Sequence, residues 1–292
     1  MDYYDRVMLE YYRVLNNAWK AEIKDAARRA IQMLSDLPRH EKLAKAHIDQ
    51  LIEVIGSQLG DDFSAAVNQP TKAFMERNLR LGLRDAQVMV PARASVGLWG
   101  LEDQRLSNIV QQQQTFWVGN HFEADVRKGF ADTLSTALAQ GYTKEMLADA
   151  LKAHFADLAD KSSSYWQGLA EHTALRVREF GRLQGYKKAK AQYYRLVVIL
   201  DDRTSDICRA LAAQDKVYPL NTALDVMDNL QSLNTRSYSL DEARDYIKAL
   251  APWVKDDQVV YNDDDEPIGV SGAHTPFPPF HWRCRTTTEI VG

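Results

Sequence analysis

Cysteine is nearly absent: Cys208 and Cys284 are the only two in 292 residues, too few to staple a chain of this size with disulfides. The fourteen glycines do not cluster, so no phosphate-cradling loop is present. H-E-x-x-H, a nucleophile elbow and a paired-carboxylate signature are missing too, and the expectation is a protein that is not an enzyme. No run of 18 apolar residues occurs; the longest sustained one is Leu196 to Leu200, so no membrane partner is expected. The start, Met1-Asp2-Tyr3-Tyr4-Asp5-Arg6, lacks the apolar core of a secretion signal, which implies a soluble chain made in the cytoplasm. Basic excess is also lacking. A net charge of −4 argues against phosphate binding by the whole surface, while leaving room for a local basic patch.

What is present is helical periodicity. From Tyr4 the apolar positions Met8, Tyr11, Leu15, Trp19, Ile23, Ala27, Ala30 and Leu34 keep to one helix face, and Leu37-Pro38 ends the run. A second helix is predicted from about Glu41 to Leu59, with Leu43, Ile48, Leu51, Ile52 and Ile55 near one face and Gly60-Asp61-Asp62 as its break or kink. Further helices are predicted within residues 71–85, 102–118 and 120–139, the run Gln111 to Gln114 reading as a solvated face. After Gly141-Tyr142, Thr143 is a good N-cap for a helix carrying Met146, Leu147, Leu151 and Phe155. Lys161 to Ser164 reads as a short linker before a longer helix from about Tyr165 to Ala189.

The character changes at Tyr193. Leu196-Val197-Val198-Ile199-Leu200 is short, β-branched and continuously apolar, which predicts a buried strand stopped by Asp201-Asp202. A polar helix is predicted at 239–250. A hairpin pairs Gln258 to Tyr261 with Ile268 to Val270 across the acidic turn Asn262 to Pro267, read as a solvated tip because it lacks the ligand alternation of a calcium loop. The proline-rich Thr275 to Phe280 must be extended. The predicted class is therefore α+β: a mainly helical domain over 1–160, then a smaller α+β domain over 161–292.

Two segments stand out. Leu200-Asp201-Asp202-Arg203-Thr204-Ser205-Asp206-Ile207-Cys208 follows the predicted strand, and Pro278-Pro279-Phe280-His281-Trp282-Arg283-Cys284-Arg285-Thr286 comes about 70 residues later. The pair resembles the signature of phage Mu F-like head morphogenesis proteins: a strand, D-x-R-T-[ST]-x-x-C, a variable insert, then P-P-x-H-x-x-C-R. Glu171 to Glu179 loosely occupies the place of the arginine-containing helix that precedes the strand. One departure is Thr286, where many relatives carry a further cysteine. The resemblance covers roughly residues 140–292. It implies a minor capsid protein of the virion, inside the head near the portal, acting in procapsid assembly, DNA packaging or DNA delivery. Expected partners are the portal, other capsid proteins, phage DNA within the head and further copies of itself, the helical half serving as the docking part.

Within the motifs, Asp201, Arg203, Thr204, Pro279 and Arg285 read as structural residues, Arg203 and Thr204 joining a polar network with Asp201 or Asp202. Arg283 and Arg285 read as ordinary surface arginines or as contacts to DNA or an acidic partner surface. Three readings of the sulfur residues stand together. His281 and Cys284, three apart, with Cys208 as a third soft ligand, suit a structural zinc whose fourth ligand is His274, Asp206 or water. The same residues serve equally as packed side chains, or Cys208 and Cys284 as a disulfide. His121, His154 and His172 lie on separate helical segments with nothing to tie them together. The rival in another class is a metal-dependent enzyme or toxin-like effector, a nuclease or ADP-ribosyl transferase, with His281, Cys284, Arg203 and Asp201 in a cleft. The lack of a toxin extension after residue 292 weighs against it.

Overall fold

A computed structural model describes residues 3–36, 45–90, 99–140, 142–233 and 238–291. Four long helices open the chain: α1 (Tyr3–Asp36), α2 (Lys45–Met89), α3 (Leu101–Ala139) and α4 (Lys144–Lys188). A small α+β part follows, made of β1 (Tyr193–Val197), α5 (Asp206–Ala213), β2 (Val217–Pro219), α6 (Leu220–Ser232), α7 (Leu240–Leu250), β3 (Val259–Tyr261), β4 (Pro267–Val270) and β5 (Thr287–Val291). The α+β class, helical first and mixed second, is as the sequence predicts. Among the described residues no helix is long and apolar enough to cross a membrane.

Several boundaries differ from the periodicity reading. The helix runs on through Gly60, through Pro70, across 118–120 and across 161–164. At Pro70 the reason is visible: Val67, Thr71, Phe74 and Met75 on either side are all buried, and that shared face outweighs the hydrogen bond proline forfeits. The predicted helix stop at Leu37-Pro38, Leu43 and Gly141 lie outside the described residues, as do the side chains of Tyr4, Ile48, Ile52, Ile55, Gln112 to Gln114 and His121.

The chain divides into two compact units, and the division is not a single cut near residue 160. One unit comprises Met1–Thr71 and Gln113–Gln167; the other comprises Lys72–Gln112 and Gly168–Gly292. In the first, α1 buries Val7, Tyr11, Leu15, Trp19, Ile23, Ala26, Ala30 and Leu34, a stripe repeating every three or four residues. Trp19, Phe63 and Trp166 form an aromatic cluster with centroids 5.3–6.0 Å apart. The Tyr11 hydroxyl lies 3.0 Å from Thr71 Oγ1.

In the second unit, β1 is the centre of an antiparallel sheet ordered β2-β1-β5, with Tyr194 opposite Tyr218 and Ile290. The strand begins at Tyr193 and ends at Val197, so it is displaced from the predicted 196–200. Only Tyr194 is buried in it, and Ile199 and Leu200 are solvent-exposed coil. Tyr194 is the strand's fully buried residue, its hydroxyl donating to Pro276 O at 2.6 Å, while of the aliphatic run Leu196 and Val198 pack half-buried against the core and Ile199 and Leu200 do not. β3 and β4 form the predicted hairpin, whose turn is held by Asn262 Oδ1 accepting the backbone N–H groups of Asp264 and Glu266. α7 begins at a Ser239–Glu242 capping box.

The sheet is fastened to the helices through charge. Gly82 of α2 and Gly181 of α4 meet so closely that a Cβ on Gly82 would fall 2.0 Å from Arg178 O. Beside this crossing, Arg178 and Arg182 both donate to Asp85, at 2.6 and 2.8 Å. Arg182 also pairs with the fully buried Glu179, whose other oxygen accepts from Thr288 of β5 at 2.7 Å. Tyr186 then donates to Thr288 O at 2.9 Å. Removing the carboxylate would leave Arg182 half-paired and Thr288 without an acceptor in a dry site. Glu179→Ala should therefore destabilise this unit by about 3 kcal/mol in urea unfolding, and Glu179→Gln by clearly less, since the amide still accepts from Thr288. Equal stability of Glu179→Ala and the native chain would show that the network does not hold β5.

Candidate metal centre

The loop after β1 folds around Asp201. Its carboxylate accepts from the Arg203 backbone N–H at 3.0 Å and from Arg285 in fork geometry, one bond being 2.9 Å. Thr204 Oγ1 accepts from Asp201 N–H at 2.8 Å and donates to Ile199 O at 2.6 Å. Arg209 bridges the carbonyls of Asp201 and Thr204. The network is the one expected at Asp201 and Thr204, but its guanidinium is Arg285, which the sequence alone places on the surface. The Arg203 side chain stands 3.9 Å from Asp201 and is 75% exposed.

Ser205 then caps α5, its Oγ accepting from Cys208 N–H at 3.3 Å. This starts the helix so that Ile207, Cys208, Ala210 and Leu211 turn inward. Ile207, Cys208 and Leu211 pack with Leu175, Val254, Phe280 and Cys284 in one apolar cluster. The tail reaches the cluster through the cis peptide Pro278-Pro279, with Pro279 and Phe280 buried and Phe280 O accepting from Val254 N–H at 3.0 Å. A tight turn follows, in which Cys284 N–H donates to His281 O and Arg283 takes a left-handed φ of 61°.

The turn delivers His281 and Cys284 to Cys208. His281 Nε2 lies 3.1 Å from Cys208 Sγ and 2.9 Å from Ser205 Oγ, and the two sulfurs are 3.8 Å apart. Both cysteines are free, at almost twice the roughly 2.05 Å of a disulfide bond. His281 Nδ1 is 2.8 Å from Trp282 O. A proton on Nδ1 satisfies that carbonyl and turns the Nε2 lone pair toward the sulfurs, the orientation a ligating histidine needs. Buried Thr286 donates to Cys208 Sγ at 3.1 Å.

These contacts favour a thiolate at Cys208. Its acidity is raised first by the hydrogen bond from Cys284, then by His281 and Thr286, against the cost of burial. Cys284, sharing the same proton and buried deeper, is pushed the other way. Burial alone would lower the His281 pKa, but the hydrogen bond and charge of Cys208 outweigh it and the shift is upward. Cys208, His281 and Cys284 could hold a metal ion: their ligand atoms lie within 4.8 Å of one another. Neither expected fourth ligand joins them. His274 bonds Thr275 O and Asp206 accepts from Tyr261, and each belongs to its own local contact.

The sequence gives no hint of His172 as a neighbour of the site. It is buried against Trp253 and stacked on Trp282, with ring centroids 5.0 and 5.5 Å away. Burial first, then the charges of Arg176 and His281, push it down to about 3. Gly168 makes room for Trp282, since a Cβ there would fall 2.7 Å from the indole. The only available signal was a pairing of histidine with tryptophan 110 residues apart, and single-sequence periodicity carries no such information. No family model, curated protein or solved structure matches the chain.

The Asp201 carboxyl is held well below the ordinary range, chiefly by the Arg285 hydrogen bonds. A depressed folded-state pKa stabilises the fold above the unfolded value of about 3.9 and loses that contribution as pH falls through the folded one. Asp201→Asn should lower Tm at pH 7, and the gap between variant and native chain should narrow below about pH 4. A gap that stayed constant from pH 7 to pH 3 in thermal melts would mean that charge at Asp201 contributes nothing.

Proposed function

We propose that this chain is a minor capsid protein of phage head morphogenesis, with a Mu F-like C-terminal part clamped by structural zinc. The observation that carries the reading is the convergence of the two motif segments. Residues 73 apart in sequence meet at Cys208 and His281, and Asp201 meets Arg285 across 84. A physical role then falls to most positions of the resemblance pattern. Asp201 and Arg285 close the loop, Thr204 fixes the turn, Pro279 directs the tail inward, and Cys208, His281 and Cys284 hold the metal.

Zinc suits the donors. A tetrahedral zinc with Zn–S of about 2.3 Å spaces its two sulfurs about 3.8 Å apart, which is the separation found here. One imidazole and two thiolates are borderline-soft ligands that favour zinc over magnesium or calcium. Such an ion would stabilise a tail that is short of apolar side chains. In this reading the protein resides in the virion, inside the head near the portal. Its partners are the portal, other capsid proteins and further copies, and with a net charge of −4 any contact with packaged DNA is local.

Native mass spectrometry with elemental analysis, on untagged protein, should find one zinc per chain, lost in Cys284→Ala. In a pull-down, the portal encoded beside the gene should be retained. Portal retention without zinc would reduce the cluster to packing; absence of both would overturn the reading. A second reading, a metal-dependent effector, is favoured by one observation: a cavity beside His281 and Ser205 bears arginines. It predicts host toxicity on expression that His281→Ala relieves, whereas a capsid protein should be tolerated in either form.

A further inference from the structure

A cavity of about 20 Å³ adjoins the sulfur–imidazole group. Ser205, Cys208, His281 and Thr286 line it on the protein side, and Arg203 and Arg283 line it toward solvent, their side chains 75% and 51% exposed. Cys284 does not line it. Two of the three candidate ligands thus border open space while the third is shut away behind them. Among the described residues no fourth thiol, imidazole or carboxylate completes the group. A zinc with three protein ligands leaves its fourth position to water or to an incoming molecule.

We propose that a metal held by Cys208, His281 and Cys284 keeps its fourth position on the cavity side, where it takes exchangeable water or a small anion. The inference rests on the zinc reading above and adds to it that the centre is open to solvent. The size fits, since about 10–15 Å³ is enough to house one water. The charge fits as well. Two thiolates neutralise a divalent ion, so the surroundings decide what is attracted. Asp201 is engaged by Arg285, while Arg203 and Arg283 find a carboxylate only at 3.9 Å. Both arginines line the cavity and no carboxylate does, so its wall draws anions. Ser205 Oγ is the nearest group that could close the site, at 2.9 Å from His281 Nε2. It is already the cap of α5, and a neutral hydroxyl is outside the usual zinc donor set.

Cobalt(II) substitution of the full-length chain tests this, with azide as the probe. Bound cobalt should show thiolate-to-metal charge transfer and tetrahedral visible bands. Azide should shift the visible bands saturably while the charge-transfer band persists, because both thiolates stay bound. Arg203→Gln and Arg283→Gln should each weaken azide by about threefold, as befits exposed charges. Ser205→Ala should leave the bands and the azide response in place. Visible bands indifferent to azide, or altered by Ser205→Ala alone, would establish a closed site and overturn the inference. A chain that takes up no cobalt would instead overturn the zinc reading beneath it.

Discussion

Glu179 sits with no solvent exposure between two helices and a strand, and the second unit is arranged around keeping that charge partnered. A buried carboxylate costs several kcal/mol unless its lone pairs are engaged. Here Arg182 engages one oxygen and Thr288 the other, while Asp85 keeps Arg182 and Arg178 in place. Gly82 and Gly181 allow the backbone approach that brings Asp85 within reach. β5 is therefore tied to the helices by an acceptor in the core as well as by its ladder to β1. Its position in turn fixes Arg285 and Thr286, two residues and one residue before the strand, and through them the loop at Asp201 and the sulfur of Cys208.

The same logic explains why the tail is polar where a larger protein would use aliphatic side chains. Between Phe280 and Thr287 the chain offers His281, Trp282, Arg283, Cys284, Arg285 and Thr286, and of these only Trp282 and Cys284 bring apolar surface. Hydrophobic burial alone supplies little there. Instead Arg285 meets Asp201, Thr286 meets Cys208, and Trp282 stacks on His172 in the room left by Gly168. Each contact is directional, so together they define one geometry for the turn. A metal ion would add the strongest directional contact available to such residues.

What could be read in advance follows from which interactions are local. The α1 stripe, the Ser239 start of α7 and the β3–β4 hairpin depend on neighbours within a few residues, and periodicity or turn chemistry exposed them. The joined helices were not legible, because whether Pro70 breaks a helix is decided by what Val67 and Phe74 bury, not by proline. The strand at 193–197 was misplaced for a similar reason: the register with Tyr218 and Ile290 is non-local, and it selected Tyr194 over the more apolar residues that follow. α5, β2 and β5 carry patterns too short to separate from coil, and α6, though longer than α7, starts at Pro219 with no side-chain cap to mark it. At the site, Cys208, His281 and Cys284 were legible as a set because the chain has only two cysteines and His281 stands three residues before one of them. The exchange of Arg203 for Arg285 as partner of Asp201 was not, since either spacing allows a salt bridge and only the fold decides.

Whether the centre is a staple or a working site turns on charge and access more than on ligand identity. A closed site with four protein donors would be insulated, and the arginines nearby would matter only as surface. With three donors, a metal's open side would face the cavity lined by Ser205, Thr286 and the arginines. A structural role needs only the three bonds and tolerates water in the fourth place. The exposed Arg203 and Arg283 side chains add little to the clamp, because Arg285 alone engages Asp201 closely. A metal held by these three side chains would therefore join a clamp on the tail to a position open to small anions, with no residue added for the second purpose.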